Sequence, residues 1–211
     1  MKNMLRLCAS VAVATALFSA VTTAQAQVIT VTENFDAATP GMAAGTLFPS
    51  SLVVSFAGVN GITNQWEPDL SDPQLTVGSN AGNNVLGLGD GGFSDGPIIF
   101  QLIPDTFFDT FSIDVVPGTS ADASATAIGY FQTLSGAFDA FTFNVDQTVP
   151  GTLNLSLSIP AQTVAIILPG NAQYDNVALQ ATTVPEAGTL PLALGGFAAI
   201  GGMTIARRRR K

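Results

Sequence analysis

Carboxylates are the only charged side chains available for chemistry in the central part of this 211-residue chain. The chain contains seven Lys and Arg, fifteen Asp and Glu, no His and one Cys. All seven cations lie within the first six or the last five residues, whereas fourteen carboxylates lie between residues 27 and 183. The central segment therefore has a formal charge of 0 − 14 = −14, against −8 for the whole chain.

This residue inventory excludes several function classes. Without His, Cys, Lys or Arg in residues 27–183, the segment cannot build a Ser-His-Asp or Cys-His nucleophile, a His or Cys metal centre, or a Schiff-base lysine. Nucleic acid is excluded as a partner because its phosphates require cations to neutralise them. A nucleotide is excluded because no Walker lysine follows the glycine-rich stretch around Asp90 and Asp95.

The carboxylates beside the single tryptophan form the first candidate site. Trp66 is followed by Glu67 and Asp69 in an acidic, proline-containing stretch, residues 64–73, which the sequence predicts to be a loop. An indole ring can stack on a sugar, and glycoside hydrolysis needs only two carboxylates about 5–10 Å apart. We therefore consider Trp66, Glu67 and Asp69 as ligand-binding residues, with a carbohydrate-active enzyme as the alternative and no catalytic residue in the leading interpretation.

The N-terminal 26 residues have the pattern of a secretory signal. Lys2 and Arg6 precede an apolar run over residues 7–21, which is shorter than the roughly 20 residues of a membrane span. The small-x-small cleavage site consists of Ala24, Ala26 and the following Gln27. Cys8 is removed with the signal, so the mature protein is expected to have no disulfide.

The C-terminal end has the pattern of a membrane anchor. Residues 189–206 are uncharged, and as a helix they would reach about 27 Å, close to the hydrocarbon thickness of about 30 Å. A basic tail follows directly, consisting of Arg207, Arg208, Arg209, Arg210 and Lys211. The positive-inside bias orients this tail to the cytoplasm, so the preceding domain is expected outside.

The order of Val184-Pro185-Glu186, apolar helix, arginine cluster and chain end resembles the C-terminal sorting signal of PEP-CTERM proteins. The resemblance covers residues 184–211, with Ala187 where that family usually has a second proline. It implies that the protein is transiently anchored in the inner membrane and processed by an exosortase-like enzyme. Release to the cell surface or an exopolysaccharide matrix would follow.

Residues 27–183 show the period-two alternation of half-buried strands. Leu153, Leu155 and Leu157 alternate with polar residues, and turn pairs such as Pro117-Gly118 separate the apolar runs. The pattern predicts nine or ten strands and an all-β, antiparallel β-sandwich, with a jelly roll favoured and an Ig-like sandwich as the alternative. The predicted organisation is a signal helix (1–26), this ectodomain (27–183) and a sorting signal (184–211) with its transmembrane helix.

The ectodomain also resembles the jelly-roll modules that often precede this sorting signal, in residues 33–36, 111–115 and 174–179. The first and last strands of such modules lie together, which implies that Asp36, Asp175 and Asn176 can meet. Because no internal cation exists to pair with them, calcium is the candidate cofactor, and bonds to turn backbones are the alternative. A second candidate set lies in and beside the glycine-rich stretch and consists of Asn83, Asp90 and Asp95. That stretch is more simply interpreted as a turn.

Taken together, the sequence predicts an exported, transiently anchored protein with a non-catalytic binding or structural role, associated with exopolysaccharide. The alternatives are the carbohydrate-active enzyme and a calcium-dependent adhesin.

Overall fold

The computed structural model describes residues 26–69, 75–80, 82–87, 96–117, 123–134, 141–157 and 162–184. The signal segment before residue 26, the motif residues Pro185 to Ala187, the predicted span and the basic tail lie outside the described residues. The described ranges contain twelve strands and one short 3-10 helix, Ala44–Leu47. They hold no helix of the length and apolarity that a membrane crossing requires.

The strands are β1 Gln27–Glu33, β2 Leu52–Val59, β3 Trp66–Asp69, β4 Thr76–Asn80, β5 Asn83–Gly87, β6 Ile98–Leu102, β7 Thr106–Val116, β8 Ala127–Thr133, β9 Thr142–Val145, β10 Gly151–Ser156, β11 Thr163–Leu168 and β12 Gln173–Thr183. Sheet A has the order β10-β7-β12-β5-β4, with β1 also paired to β12, and sheet B has the order β3-β2-β6-β11-β8-β9. All pairings between these strands are antiparallel. The all-β prediction with two antiparallel sheets is confirmed, and residues 27–183 form one compact unit.

Three of the strands were not expected from the sequence. The described residues contain twelve strands rather than nine or ten, because β3, β4 and β5 lie in segments rich in Pro, Gly and Asn. β3 is part of the stretch predicted to be a loop. Its Pro68 is tolerated because β3 is at the edge of sheet B, where a missing N–H leaves no neighbouring strand unpaired.

The first and last strands are neighbours along the whole length of β1, from Gln27 opposite Thr183 to Glu33 opposite Val177. β7 pairs with the other edge of β12 and begins at the same end, with Thr106 opposite Thr183. We call this end of the sandwich the terminal pole. The adjacency of β1 and β12 is the arrangement that the jelly-roll resemblance implied.

Alternation along the strands builds the core between the two sheets. On β7, Phe111, Ile113 and Val115 are buried, and Ser112 and Asp114 between them are only half-buried. A chain of edge-to-face aromatic contacts crosses the core, formed by Phe35, Phe48, Phe100, Phe111 and Phe108. Burying each such side chain contributes about 1.5–3 kcal/mol. These five phenylalanines therefore supply a major part of the stability of a fold without disulfides.

Sheet B curls so that its two distant strands meet. Three strands stand between β3 and β8 in the sheet order, which would separate them by about 19 Å in a flat sheet. However, the ring centroids of Trp66 on β3 and Tyr130 on β8 are 5.7 Å apart. The β2–β3 hairpin therefore bends over the face of sheet B that points away from sheet A, and a second apolar cluster forms beneath it.

Candidate functional site

The structure separates Trp66 from the two carboxylates that follow it. β3 pairs with β2 so that Val59 lies opposite Trp66 and Gly58 lies opposite Glu67. Successive side chains of a strand point to opposite faces, so Trp66 lies on the outer face of sheet B, whereas Glu67 and Asp69 are on the other side of β3. The indole and the carboxylates therefore do not share one surface, which the loop interpretation could not reveal.

Trp66 instead meets an aromatic residue that sequence reasoning did not select. Its ring is tilted by 36° to that of Tyr130, and both pack on a small cluster of fully buried residues, which are Ile99, Ala165 and Ile167. Neither aromatic ring is fully buried. Val59 opposite Trp66 and Ile128 two residues before Tyr130 lie on the same face, and each is 50% exposed. We call Val59, Trp66, Ile128 and Tyr130 the aromatic face.

A single buried amide holds this face together. The side-chain oxygen of Gln132 accepts a hydrogen bond from the Trp66 N–H (2.7 Å), and its Nε2 donates to the Trp66 carbonyl oxygen (3.0 Å). Gln132 thus pairs with the free edge of β3 as a strand backbone would. Because Gln132 is only 4% exposed, both bonds are shielded from water, and together they fix the position of Trp66 against β8.

The hairpin that presents Trp66 is closed by Asn60. Its backbone N–H donates to Gln65, and its carbonyl accepts from Asn64, which adopts a positive φ of 54°. The Asn60 Oδ1 accepts from the N–H groups of Ile62 (2.9 Å) and Thr63 (3.3 Å). The Asn60 Nδ2 donates to Glu67 Oε1 at 2.9 Å, so Glu67 supports the hairpin.

The second candidate site lies at the pole opposite the terminal pole. Asp175 on β12 is directly opposite Asp114 on β7, just before a bulge in which Asn176 has a φ of 49°. The Asn176 backbone N–H donates to Asp175 Oδ1 (2.7 Å), and its Nδ2 donates to Asp114 Oδ2 (2.8 Å). The Thr152 hydroxyl donates to the other oxygen of Asp114. Each carboxylate is thus supported by neutral donors.

Asp36 completes this acidic group after β1. Its carboxylate accepts from Asn34 Nδ2 at 2.8 Å and repels that of Asp175. Partial burial raises the pKa of Asp175 above its ordinary value, and the charges of Asp36 and Asp114 raise it further, against the lowering by the Asn176 N–H. Asp36 and Asp175 therefore lie close enough for their charges to interact, and Asn176 bonds to the Asp114 carboxylate. The structure adds Asp114, whose place opposite β12 in the sheet could not be read from the sequence.

The described residues contain no group of three or more Asp, Glu, His or Cys side chains arranged to hold a metal ion. The calcium site therefore stays a prediction. Of the other acidic set, Asn83 is exposed on β5, whereas Asp90 and Asp95 lie outside the described residues.

Depressions on the described part of the sandwich include the following two. One, of about 430 Å³, lies beside the 3-10 helix and β2, and Asp69 is the single carboxylate in its lining as described. The other, of about 470 Å³, crosses the outer face of sheet A and is lined with hydroxyl and amide groups of residues such as Thr30, Ser112 and Gln180. Among the residues that the structure describes, neither lining contains the pair of carboxylates that glycoside hydrolysis requires.

Comparison with known proteins identifies no family. The sequence matches no protein-family model and no curated protein. Among solved structures, a family 29 carbohydrate-binding module (CBM29_1) from Piromyces equi is similar over 76% of this chain and 92% of that chain, with 11% sequence identity and a TM-score of 0.39.

Proposed function

We propose that this protein is an exported, non-catalytic polysaccharide-binding protein whose aromatic face contacts the glycan. The observation that carries the proposal is the Trp66–Tyr130 pair, which remains partly accessible on a curled sheet and is held in place by Gln132. An aromatic pair flanked by half-exposed Val59 and Ile128 offers a rigid apolar surface. Such surfaces mark binding sites, and the C–H faces of sugar rings are suited to stack on them.

Charge defines the kind of glycan that this face would accept. The domain has no cation between residues 27 and 183, so it has no side chain to pair with uronate or sulfate groups. We therefore propose a neutral polysaccharide, or an anionic one bridged by divalent ions, as the partner. The separation of Glu67 and Asp69 from Trp66 supports binding without hydrolysis.

The tryptophan provides a direct test, because Trp66 is the single tryptophan in the chain. Neutral exopolysaccharide fragments titrated into the purified protein should change the Trp66 emission with saturation. Tyr130→Ala should weaken this binding, whereas Glu67→Gln and Asp69→Asn should leave it unchanged. Unchanged affinity in a folded Tyr130→Ala variant would refute the proposal, and polysaccharide cleavage that is lost in Glu67→Gln and Asp69→Asn would establish the enzyme instead.

Export and anchoring form the second part of the proposal, and they are supported by the two terminal signals. In the folded domain Gln27 lies opposite Thr183, so the two ends of residues 27–183 are adjacent at the terminal pole. Deleting residues 189–211 should release the protein to the medium, whereas unchanged membrane retention would contradict the anchor.

The repeated crossing of the chain between the sheets, together with the β1–β12 adjacency, supports a jelly roll as the finer fold class.

A calcium-dependent adhesin is the second candidate. The described residues hold no preformed set of three metal ligands, but Asp36 and Asp114 repel Asp175, and a bound divalent cation would relieve that repulsion. Calcium should then raise the melting temperature of the purified protein, and chelation with EDTA should reverse the increase. Asp114→Asn should abolish the response to calcium. A melting temperature that calcium and EDTA leave unchanged would exclude a stabilising site.

A further inference from the structure

The β2–β3 hairpin contains a second reactive feature, which lies outside the aromatic face. Asn60 is followed by Gly61, and this is the single Asn-Gly pair in the chain. Residues 61–64 are exposed, and the Ile62 side chain is 95% exposed at the tip of the hairpin. The backbone nitrogen of Gly61 directly follows Asn60 in the chain and can reach the Asn60 side-chain amide. Gly61 has no side chain that would shield this nitrogen.

The hydrogen bonds of Asn60 prepare its amide for attack. Two backbone N–H groups, from Ile62 and Thr63, donate to Oδ1 at 2.9 and 3.3 Å. They withdraw electron density from the amide carbon and lie where negative charge develops on Oδ1 when a nucleophile adds to that carbon. This is the arrangement by which backbone donors stabilise an oxyanion.

We propose that Asn60 is a self-modification site at which the hairpin deamidates. The Gly61 backbone nitrogen loses its proton to water and forms a bond to Cγ of Asn60. Water returns a proton to Nδ2, the Cγ–Nδ2 bond breaks, and the nitrogen leaves as ammonia. Water then opens the resulting cyclic imide at either carbonyl to give aspartate or isoaspartate. One water is consumed and one ammonia is released overall, and no oxidant or cofactor takes part.

The consequence follows from the partner of Asn60. The Nδ2 group that donates to Glu67 Oε1 is lost, and a second carboxylate takes its place beside Glu67. No Lys, Arg or His between residues 27 and 183 can offset the added charge. The hairpin that carries Trp66 is therefore weakened, so slow deamidation loosens the aromatic face. Only the consequence for glycan binding at this face rests on the proposed function.

The modification is tested by peptide mapping of the purified full-length protein after incubation at mildly alkaline pH. The peptide that contains Asn60 should gain the mass of an amide-to-acid conversion, with release of ammonia. Gly61→Ala is the matched control, because Gly61 has no positive φ and a Cβ there meets nothing within 4 Å. This variant should show no conversion over the period in which the parent is half converted. An unmodified parent chain, or equal conversion in Gly61→Ala, would overturn the proposal.

The structural effect is tested with Asn60→Asp, which mimics the aspartate product. Its melting temperature should be lower by about 2–4 °C, the shift expected from one like-charge contact in water for a domain of this size. Adding Glu67→Gln should restore the melting temperature, because a glutamine amide can donate to the new carboxylate. A melting temperature equal to the parent's would refute the loosening of the hairpin. The mass measurement tests the deamidation itself independently. Neither experiment requires a glycan.

Discussion

Replacing Gln132 by leucine tests how sheet B holds its aromatic face. Leucine has nearly the volume of glutamine and keeps the site filled, but it removes both hydrogen bonds to the backbone of Trp66. Because β3 is an edge strand, water can reach the freed N–H and carbonyl groups once the hairpin moves outward. We expect the variant to fold with a less tightly curled sheet.

The magnitude follows from the two bonds that are lost. A hydrogen bond contributes about 0.5–1.5 kcal/mol net, so Gln132→Leu should lower the free energy of unfolding by about 1–3 kcal/mol. For a domain of this size each kcal/mol shifts the melting temperature by about 2–4 °C, which gives a decrease of roughly 2–12 °C.

Thermal unfolding followed by circular dichroism measures this decrease, and the emission of Trp66 reports its cause. The emission should shift to the red in the variant, because the indole becomes more exposed when β3 separates from β8. Gln180→Leu is the matched control, since Gln180 is an exposed residue of β12 on sheet A, and the change there should stay within about 0.5 kcal/mol. An unchanged melting temperature and unchanged emission in Gln132→Leu would refute the conclusion that Gln132 holds Trp66 against β8.

Three further predictions concern charge and packing. Because burial raises the pKa of Asp175, this carboxyl keeps its proton to higher pH in the folded chain than in the unfolded chain. The free energy of unfolding should therefore fall as pH rises from about 3.9, the ordinary Asp pKa, through the raised pKa of Asp175. Asp175→Asn should therefore raise the melting temperature at pH 7 but not at pH 3, and equal shifts at both pH values would contradict this linkage. Gly129→Ala should destabilise the domain by about 1–3 kcal/mol in urea unfolding, because its Cβ would overlap the Phe143 ring, and a neutral result would mean that the ring moves aside freely. Sodium chloride should raise the melting temperature by screening the repulsion within a −14 domain, and a decrease would point to ion pairs that the sequence does not provide.

The longest strands were predictable because their sequence pattern and their burial agree. The alternation of Phe111, Ile113 and Val115 with polar residues is the alternation observed on β7, and it shows which side faces the core. β3 was not predictable in the same way, because Pro68 and two acidic residues carry the composition of a loop. Only its position at a sheet edge, which is a long-range property, makes a strand of that composition acceptable.

The candidate sites show the same limit. Choosing Trp66 needed only its residue type, whereas its partner Tyr130 lies 64 positions later and is brought close by the curl of sheet B. Period-two geometry would have separated Trp66 from Glu67 if the segment had been recognised as a strand. Asp114 is next to Asp175 because β7 and β12, which are far apart in the sequence, pair in this register.

The absence of internal cations explains the polar residues that accompany the carboxylates. Asp109 accepts from the hydroxyl of Thr182, Asp146 accepts from that of Thr148, and Glu67 accepts from the amide of Asn60. For Asp146, the Thr148 hydroxyl is the main reason that its pKa lies below the ordinary value. Neutral donors satisfy the hydrogen-bonding capacity of a carboxylate but leave its charge in place, which an arginine or lysine would cancel. These three carboxylates are therefore hydrogen-bonded and still charged, and they contribute to a strong negative field that repels anions and attracts divalent cations.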